Sequence, residues 1–343
     1  MNETQQYLAV EHYEDYVEGQ ITRRELMRRL TLILGTTAAA SAFIAACGGA
    51  PPATQTTTTP TVAATAAATA TAAPTPTAAA SPAASPGAVA YATPPPSATT
   101  DGITVRPDDP RIIAGPQTIK AADGADLIAY MARPKADGKH PVLLVMHENR
   151  GLLEHIKDVT RRAATAGFAA VAIDVLSREG GADKLTDQAS YNAALGRRQP
   201  ADMVKDFVSV LDHMRTQPFA NGAKLGATGF CFGGGTTWHL INLGGPNVVQ
   251  AAVPFYGPVP QDPSGVAATK AAVLGVFAET DNNVNSGMTR AEDALKRAGA
   301  TYKLNTYPGT GHAFHNDTGT RFNSEQARRA WVDTIEWFKR YLS

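Results

Sequence analysis

The residues most able to do chemistry lie in the stretch Gly229-Phe230-Cys231-Phe232-Gly233. A G-x-nucleophile-x-G turn between a strand and a helix exposes its central side chain above the end of a sheet. Glycines flank such a residue because the turn leaves no room for other side chains and strains the central backbone. Here the central residue is cysteine, whose thiolate is a strong nucleophile. The pattern therefore favours a nucleophilic Cys231 over a buried structural thiol.

Two later residues complete a possible triad, because Asp281 and then His312 follow Cys231 along the chain. His312 would take the thiol proton and later activate water, while Asp281 would hold the imidazole in its useful tautomer. Asp281 alone could equally be a turn former, and His315 is a rival to His312. The pair His312 and His315 has no third ligand at a conventional spacing, so we predict neither a metal nor another cofactor.

An acyl-transfer site also needs donors for a developing oxyanion. The backbone N–H of Phe232 directly follows the nucleophile, and the loop after the apolar run 141–146 offers a second backbone donor, most simply Asn149. Such donors stabilise the transition state only if they are held in place beforehand. We therefore expect Phe232 and Asn149 to form the oxyanion hole.

The elements that must position these residues alternate along the chain. Apolar runs predict strands near residues 117–121, 127–133, 141–146, 168–173, 224–228, 248–256, 271–278 and 301–307. Amphipathic patterns predict helices near residues 154–166, 188–195, 201–215, 236–243, 287–297 and 324–342. This alternation predicts an α/β class fold, a mainly parallel, doubly wound sheet of about eight strands with helices on both faces. The candidate residues follow strand ends, where ligands bind in such sheets.

With these motifs in place, residues 117 to 343 resemble the dienelactone hydrolase (carboxymethylenebutenolidase) family of the α/β-hydrolase superfamily. The resemblance rests on the Cys231 elbow and on four further stretches: His147-Glu148-Asn149-Arg150-Gly151, Asp174 through Arg178, Glu279-Thr280-Asp281 and Gly311-His312-Ala313-Phe314. It implies the α/β-hydrolase fold and a hydrolase of carboxylic esters or lactones that acts through a thioester.

The resemblance also implies roles for single residues. A glutamate at the position of Glu148 holds the resting thiol and helps to deprotonate it, and Arg178 matches one of two arginines that bind a substrate carboxylate. The second arginine would lie four residues after the catalytic histidine, where this chain has Asn316. That departure favours general activated esters or lactones over dienelactone itself. Arg150 is a possible substitute, although an arginine beside a loop is usually solvated.

Three alternatives remain open at this point. The first is a broader esterase or thioesterase on the same scaffold. The second is a non-catalytic, surface-tethered binding protein, since a fold does not fix a function. The third is a redox-sensing thiol protein, which the absence of a resolving cysteine disfavours, because Cys47 and Cys231 are the only cysteines.

Composition divides the chain into three parts. Residues 51–100 contain no Lys, Arg, Asp or Glu and are dominated by Ala, Thr, Pro and Ser, a composition typical of a disordered linker. We therefore predict a linker at 48–100 and a single hydrolase domain at 101–343. The 31 basic and 31 acidic residues balance, and no basic stripe suggests nucleic acid as a partner. We expect a monomer whose partner is a small-molecule substrate.

The first 47 residues resemble an export signal. Arg23 and Arg24 precede a moderately apolar run of 17 residues, 30–46, as in twin-arginine signals. The run ends at Cys47 in a lipobox-like sequence, so Cys47 is the candidate lipidation site and membrane anchor. The alternative is an uncleaved membrane helix, for which 17 residues are short. The sequence therefore predicts an exported, extracytoplasmic lipoprotein at the periplasmic face or cell surface.

Overall fold

The computed structural model of the chain describes residues 1–47, 102–185 and 187–343. The predicted linker at 48–100 lies outside the described residues. The N-terminal helices and the sheet belong to one compact unit.

Eight strands form one sheet in the described part of the chain. The strands are β1 Ile112–Lys120, β2 Asp126–Pro134, β3 His140–Met146, β4 Ala169–Ile173, β5 Ala220–Phe230, β6 Ala251–Phe255, β7 Ala272–Ala278 and β8 Tyr302–Tyr307. Their order across the sheet is β1-β2-β4-β3-β5-β6-β7-β8. Strand β2 pairs antiparallel with both β1 and β4, whereas every other pairing is parallel. The predicted mainly parallel sheet is therefore confirmed.

The central strands are apolar because helices cover both faces of the sheet. Every residue of β4, β6 and β7 is buried, and β3 is buried from Val142 onward. A strand covered on both sides shows a continuous apolar run rather than alternation. The last strand of the sheet, β8, is buried only at Tyr307, as its edge position allows.

Ten α-helices occur in the described part of the chain. The seven that follow β3 are α4 Glu154–Thr165, α5 Gln188–Arg197, α6 Pro200–Arg215, α7 Phe232–Leu243, α8 Asn282–Asn285, α9 Met288–Ala298 and α10 Ser324–Tyr341. Six of these match the predicted helices, and the sequence missed α8. Helix α7 begins four residues before the predicted start, because the elbow feeds directly into the helix.

Three further helices lie before the predicted linker: α1 Glu3–Val17, α2 Arg23–Leu34 and α3 Thr37–Ala46. The Asn2 side chain accepts from the Gln5 backbone, and the Gln5 side chain accepts from the Asn2 backbone, a capping box that starts α1. Helices α1 and α2 both pack on α5. Within the described residues, no individual helix is both long and apolar enough to cross a membrane; α2 and α3 qualify only as a pair bent by 114°.

Candidate active site

The elbow at Cys231 joins β5 to α7 through a strained backbone. Cys231 has φ 60° and ψ −121°, a region that few non-glycine residues occupy. Its N–H donates to the Phe255 carbonyl at 3.1 Å, and its carbonyl accepts from the Gly235 N–H at 3.1 Å. These bonds hold the residue from both sides, so the thiol is fixed at the end of the central strand.

Two glycines allow the elbow to pack. A Cβ atom at Gly229 would lie 2.1 Å from the Gly233 carbonyl oxygen, and a Cβ at Gly233 would lie 2.2 Å from the Met146 carbonyl oxygen. Both partners are backbone atoms, one in α7 and one in β3, and neither can move aside without disturbing its element. The glycines of the sequence motif are therefore required by close approach of the backbone.

Replacing Gly233 with alanine is expected to destabilise the fold by more than about 4 kcal/mol, because the clash is with backbone at the core of the sheet. Gly115→Ala on β1 is the matched control, since a Cβ there meets no atom within 4 Å. Chemical denaturation of both variants measures the difference. Equal stability of the two proteins would contradict the packing explanation.

His312 and Asp281 are brought together as the sequence predicted. The His312 Nδ1 atom lies 2.6 Å from Asp281 Oδ2, and both side chains are buried. Asp281 follows β7, and its other oxygen accepts from the Val284 N–H at 3.1 Å as the N-cap of α8. One carboxylate thus starts a helix and orients the imidazole. His312 lies in the loop after β8, next to Ala313 with φ 62°.

Charges around the pair control its protonation. Burial alone would lower the pKa of His312, but the carboxylates of Glu11 and Asp281 raise this pKa well above its usual value. Burial raises the pKa of the Cys231 thiol, and His312 opposes that rise. The buried thiol is therefore favoured over the thiolate until a base takes its proton.

The predicted oxyanion donors belong to the start of α7 and to the loop after β3. Phe232 is the first residue of α7, and first-turn amides of a helix have no intrahelical acceptor. Asn149 lines the same cavity as Cys231, and its carbonyl accepts from Gln188 Nε2 at 2.6 Å. That bond holds the loop after β3 against α5.

Glu148 is buried next to the site and is held by Asn316. Asn316 Nδ2 donates to Glu148 Oε2 at 2.5 Å. Glu148 Oε1 is buried without a hydrogen-bond partner among the described residues. The residue at the position of the missing arginine therefore orients Glu148, and the free oxygen is available to a second donor.

The structure does not bring Arg178 to the cavity. Its guanidinium pairs with Asp206 at 2.6 Å and Asp123 at 2.7 Å, and Arg178 is not among the residues that line the cavity around Cys231. These two carboxylates already satisfy the guanidinium, so a substrate carboxylate could bind Arg178 only by displacing one of them. Arg150 does line the cavity and is exposed.

The rival histidine, His315, has a structural environment. Its ring stacks on Phe230 with centroids 4.9 Å apart. Burial lowers the pKa of His315 well below its usual value, and nearby Arg162 adds to the effect. The carboxylate partner Asp281 belongs to His312 instead, which makes His312 the better base.

A cavity of about 360 Å³ opens beside Cys231 and His312. One side includes residues that follow β3, such as Glu148, Asn149 and Arg150, and the other consists of N-terminal residues that include Glu11 and Arg29. Sequence reasoning missed the second wall completely. The spacing of Tyr7 and Glu11, four residues apart, places both on one face of a helix, but no local pattern shows what that face contacts.

Glu11 also brings a third ligand-type side chain to the site. Ligand atoms of Glu11, Cys231 and His312 lie within 4.8 Å of one another, and all three residues are buried. The sequence gives no sign of this group, because Glu11 lies far from Cys231 and His312 along the chain. The prediction that the site works without a metal stays a prediction.

The sequence that carries this geometry matches a known protein family. The profile of the dienelactone hydrolase family matches residues 127–342. The chain belongs to this family. The match confirms the resemblance seen in the motifs and the α/β-hydrolase fold, and it makes the protein a dienelactone hydrolase-like carboxylic ester hydrolase.

Individual members of the dienelactone hydrolase family agree with this assignment. A Methylorubrum extorquens protein with the provisional name carboxymethylenebutenolidase is 35% identical over 74% of this chain and 88% of its own length. An Escherichia coli K12 protein with the same provisional name is 34% identical over 72% of this chain and 94% of its own. The crystal structure of a Klebsiella pneumoniae protein, provisionally named dienelactone hydrolase, is 30% identical with a TM-score of 0.61, covering 67% of this chain and 99% of that protein.

Proposed function

We propose that this protein hydrolyses activated carboxylic esters or lactones through a thioester acyl-enzyme on Cys231. The observation that supports the proposal is a strained elbow cysteine whose thiol lies within 4.8 Å of a His312 ring nitrogen. The Nδ1 atom of the same histidine lies 2.6 Å from Asp281. A buried carboxylate on Nδ1 leaves Nε2 as the nitrogen that faces the nucleophile, which is the arrangement of a base poised to take a proton.

The reaction proceeds in two balanced halves. The thiol gives its proton to a base, and the sulfur attacks the acyl carbon while the oxyanion accepts from the Phe232 and Asn149 amides. The C–O bond then breaks, and His312 returns the proton to the leaving alcohol. In the second half His312 takes a proton from water and the hydroxide attacks the thioester carbonyl. The C–S bond breaks, His312 returns that proton to the Cys231 thiolate, and the carboxylic acid is released.

Glu148 is proposed as the group that helps to activate the thiol. Its Oε1 has no partner among the described residues, and its charge is close enough to raise the pKa of Cys231. A carboxylate in this position can take the thiol proton when substrate fills the cavity and displaces the resting contacts. Glu148 then passes the proton to Nε2 of His312, which gives it to the leaving alcohol and later takes a proton from water.

Glu148→Gln is expected to lower kcat/KM for an aryl ester about 10²-fold, because the glutamine keeps the Asn316 contact but cannot take a proton. The acylation burst should slow more than the deacylation rate, since His312 remains for the second half. Glu154→Gln at the exposed start of α4 is the matched control. A burst unchanged from wild type would remove Glu148 from the proposed acylation step.

The substrate class follows from the nucleophile. A thiolate is a better leaving group than an alkoxide, so thioester formation needs an ester or lactone with a good leaving group. A panel of a dienelactone, an aryl ester and a thioester, offered to the full chain, tests the proposal and its alternative. Preference for the dienelactone or aryl ester supports an activated-ester hydrolase. Preference for the thioester supports the broader thioesterase.

We propose further that the chain is exported and anchored by a lipid on Cys47. Arg23 and Arg24 are exposed at the start of α2, and Cys47 is exposed directly after α3, so both signals are accessible. Radioactive palmitate should label the wild-type protein in cells, and Cys47→Ser should abolish the label and release the protein from the membrane fraction. Labelling that persists in Cys47→Ser would contradict this anchor, and an unchanged distribution after Arg23→Lys and Arg24→Lys would contradict twin-arginine export.

A further inference from the structure

The N-terminal helix α1 is docked over the active site rather than beside it. Tyr7 and Leu8 are buried, and Leu8 has no exposed surface. At one end, Asn2 Nδ2 donates to the Gly196 carbonyl at 3.0 Å. Along the helix, Asn192 Nδ2 lies 2.8 Å from His12 Nε2. These contacts fix the face of α1 that points into the hydrolase domain.

Two side chains on that face contact the catalytic pair. The Tyr7 hydroxyl lies 3.0 Å from Cys231 Sγ and 3.5 Å from His312 Nε2. Glu11 Oε2 lies 3.4 Å from His312 Nε2. One side chain therefore touches the nucleophile, and the other touches the nitrogen that must accept the thiol proton.

These contacts oppose catalysis for steric and chemical reasons. An acyl carbon has to come within roughly 3–3.5 Å of the sulfur to react, and the Tyr7 hydroxyl already occupies one side of Sγ at that distance. Asp281 faces Nδ1 of His312 and Glu11 faces Nε2, and their charges raise the pKa of the ring, which favours its imidazolium form. An imidazolium has no lone pair with which to take a proton from Cys231.

We propose that residues 3–46 form an intramolecular inhibitor of the hydrolase, in which Tyr7 occupies the nucleophile and Glu11 holds the base. The proposal rests on the cysteine mechanism proposed above. Substrate would reach Cys231 and His312 at the hydrolase-domain side of the cavity once α1 moves away. The inhibitor is a part of the same chain, so its local concentration is high and a modest affinity suffices.

The contact at Glu11 is suited to being reversible. Burial raises the pKa of Glu11 to about 8, with His312 opposing the rise and Asp281 adding to it. The Glu11 charge that favours the imidazolium is therefore lost whenever this group takes a proton near neutral pH. Its Oε1 atom is buried without a hydrogen-bond partner among the described residues. Burying a carboxyl group that is only partly satisfied costs free energy, so the docked state is held less tightly than its contact area would suggest.

The position of Cys47 gives the inhibitor a route of release. Helices α1 to α3 all precede Cys47, the residue at which the proposed signal would be cleaved. Cleavage there would cut the covalent link between the inhibitor and the hydrolase domain. The precursor would then be inactive before export, and the processed enzyme would be active.

The test compares full-length variants in a Cys47→Ser background, so that Cys231 is the remaining thiol. Leu8→Asp places a charge in the buried face of α1 and should undock the helix without changing the triad. Tyr7→Ala combined with Glu11→Ala removes both contacts directly. Val17→Asp is the matched control on the same helix, because Val17 is 49% exposed. Circular dichroism and thermal unfolding verify that the sheet is intact in each protein.

Two rates are measured: kcat/KM for an aryl ester, and the second-order rate of Cys231 alkylation by iodoacetamide, read from peptide masses. We expect both to rise tenfold or more in Leu8→Asp and in the double variant, since activity follows the population of the open state. Val17→Asp should stay within about twofold of its parent.

The outcomes separate this inference from the proposed function. Faster alkylation without ester hydrolysis by any variant would support the inhibitory contact and refute the hydrolase mechanism. Efficient hydrolysis that is equal in all four proteins would support the mechanism and overturn the inhibitor. Slower hydrolysis in Leu8→Asp and in the double variant would also overturn it, because α1 would then be assisting catalysis.

Discussion

Cys231→Ala is expected to lower kcat/KM for an aryl ester by about four orders of magnitude or more, the loss typical of removing a nucleophile that works with a base. Cys231 holds the elbow position at the end of β5 and is buried next to His312. Alanine fits this space without its own clash, so the protein should fold and still bind substrate. The loss therefore belongs to the chemical step.

The measurement needs a protein whose basal activity is high enough to show such a loss. Cys231→Ala is assayed both in the full chain and in the Tyr7→Ala/Glu11→Ala background. Cys47→Ser is the matched control, because Cys47 is exposed and lies outside the cavity. Retention of more than about one hundredth of the activity by Cys231→Ala would reject covalent catalysis by this thiol, because the residual rate would exceed what binding alone supplies.

A mass shift gives an independent check of the same step. Wild-type enzyme is mixed with an aryl ester, and the reaction is quenched with acid within the first turnovers. The thioester should then be found on Cys231. The adduct should have the mass of the acyl group and should map to the peptide that contains Cys231. An acyl group found on any other residue would contradict the assignment.

The elements of the fold were predictable because each carries a local signal. The buried strands β3 and β7 are continuous apolar runs, and α10 has an apolar stripe that includes Trp331 and Phe338. The Cys231 elbow was predictable because its glycines have a local steric cause: a Cβ added at Gly229 would lie only 2.1 Å from a backbone oxygen. Asp281 and His312 followed from chain order, which the sheet topology converts into proximity.

The second wall of the site could not be predicted in this way. The contact between Tyr7 and Cys231 spans 224 positions, and that between Tyr7 and His312 spans 305. A periodic pattern within residues 1–47 predicts a helix face but cannot identify a contact so distant along the chain. The twin arginines indicate targeting and give no sign of this contact.

Arg178 was predicted to bind substrate, but it does not line the cavity. Its motif suggested a substrate ligand, but Asp123 and Asp206 pair with the guanidinium instead, and that pairing depends on the tertiary fold.

The second large effect concerns the orientation of the base, and Asp281→Asn isolates it. Asparagine can still accept from the Val284 N–H through its side-chain oxygen, so the cap of α8 is kept. The other side-chain atom then becomes an NH₂ group facing His312 Nδ1. It favours the tautomer in which Nε2 carries the proton, and that nitrogen can no longer take the proton of Cys231.

We expect Asp281→Asn to lower kcat by about 10³- to 10⁴-fold while KM changes little, because the loss lies in proton transfer rather than in binding. The pKa of His312 should also fall, since one of the two carboxylates that raise it is gone. NMR titration of the imidazole would show the midpoint at lower pH than in wild type. Asp293→Asn on the exposed surface of α9 is the matched control.

The pair of readouts distinguishes orientation from structure. A merely structural Asp281 would give a variant with a lower melting temperature and a kcat that recovers on cooling, with the imidazole titration unchanged. An orienting Asp281 gives a stable variant with a low kcat at every temperature and a shifted titration. The second pattern is expected because Asp281 meets both requirements with separate oxygens, one for α8 and one for His312.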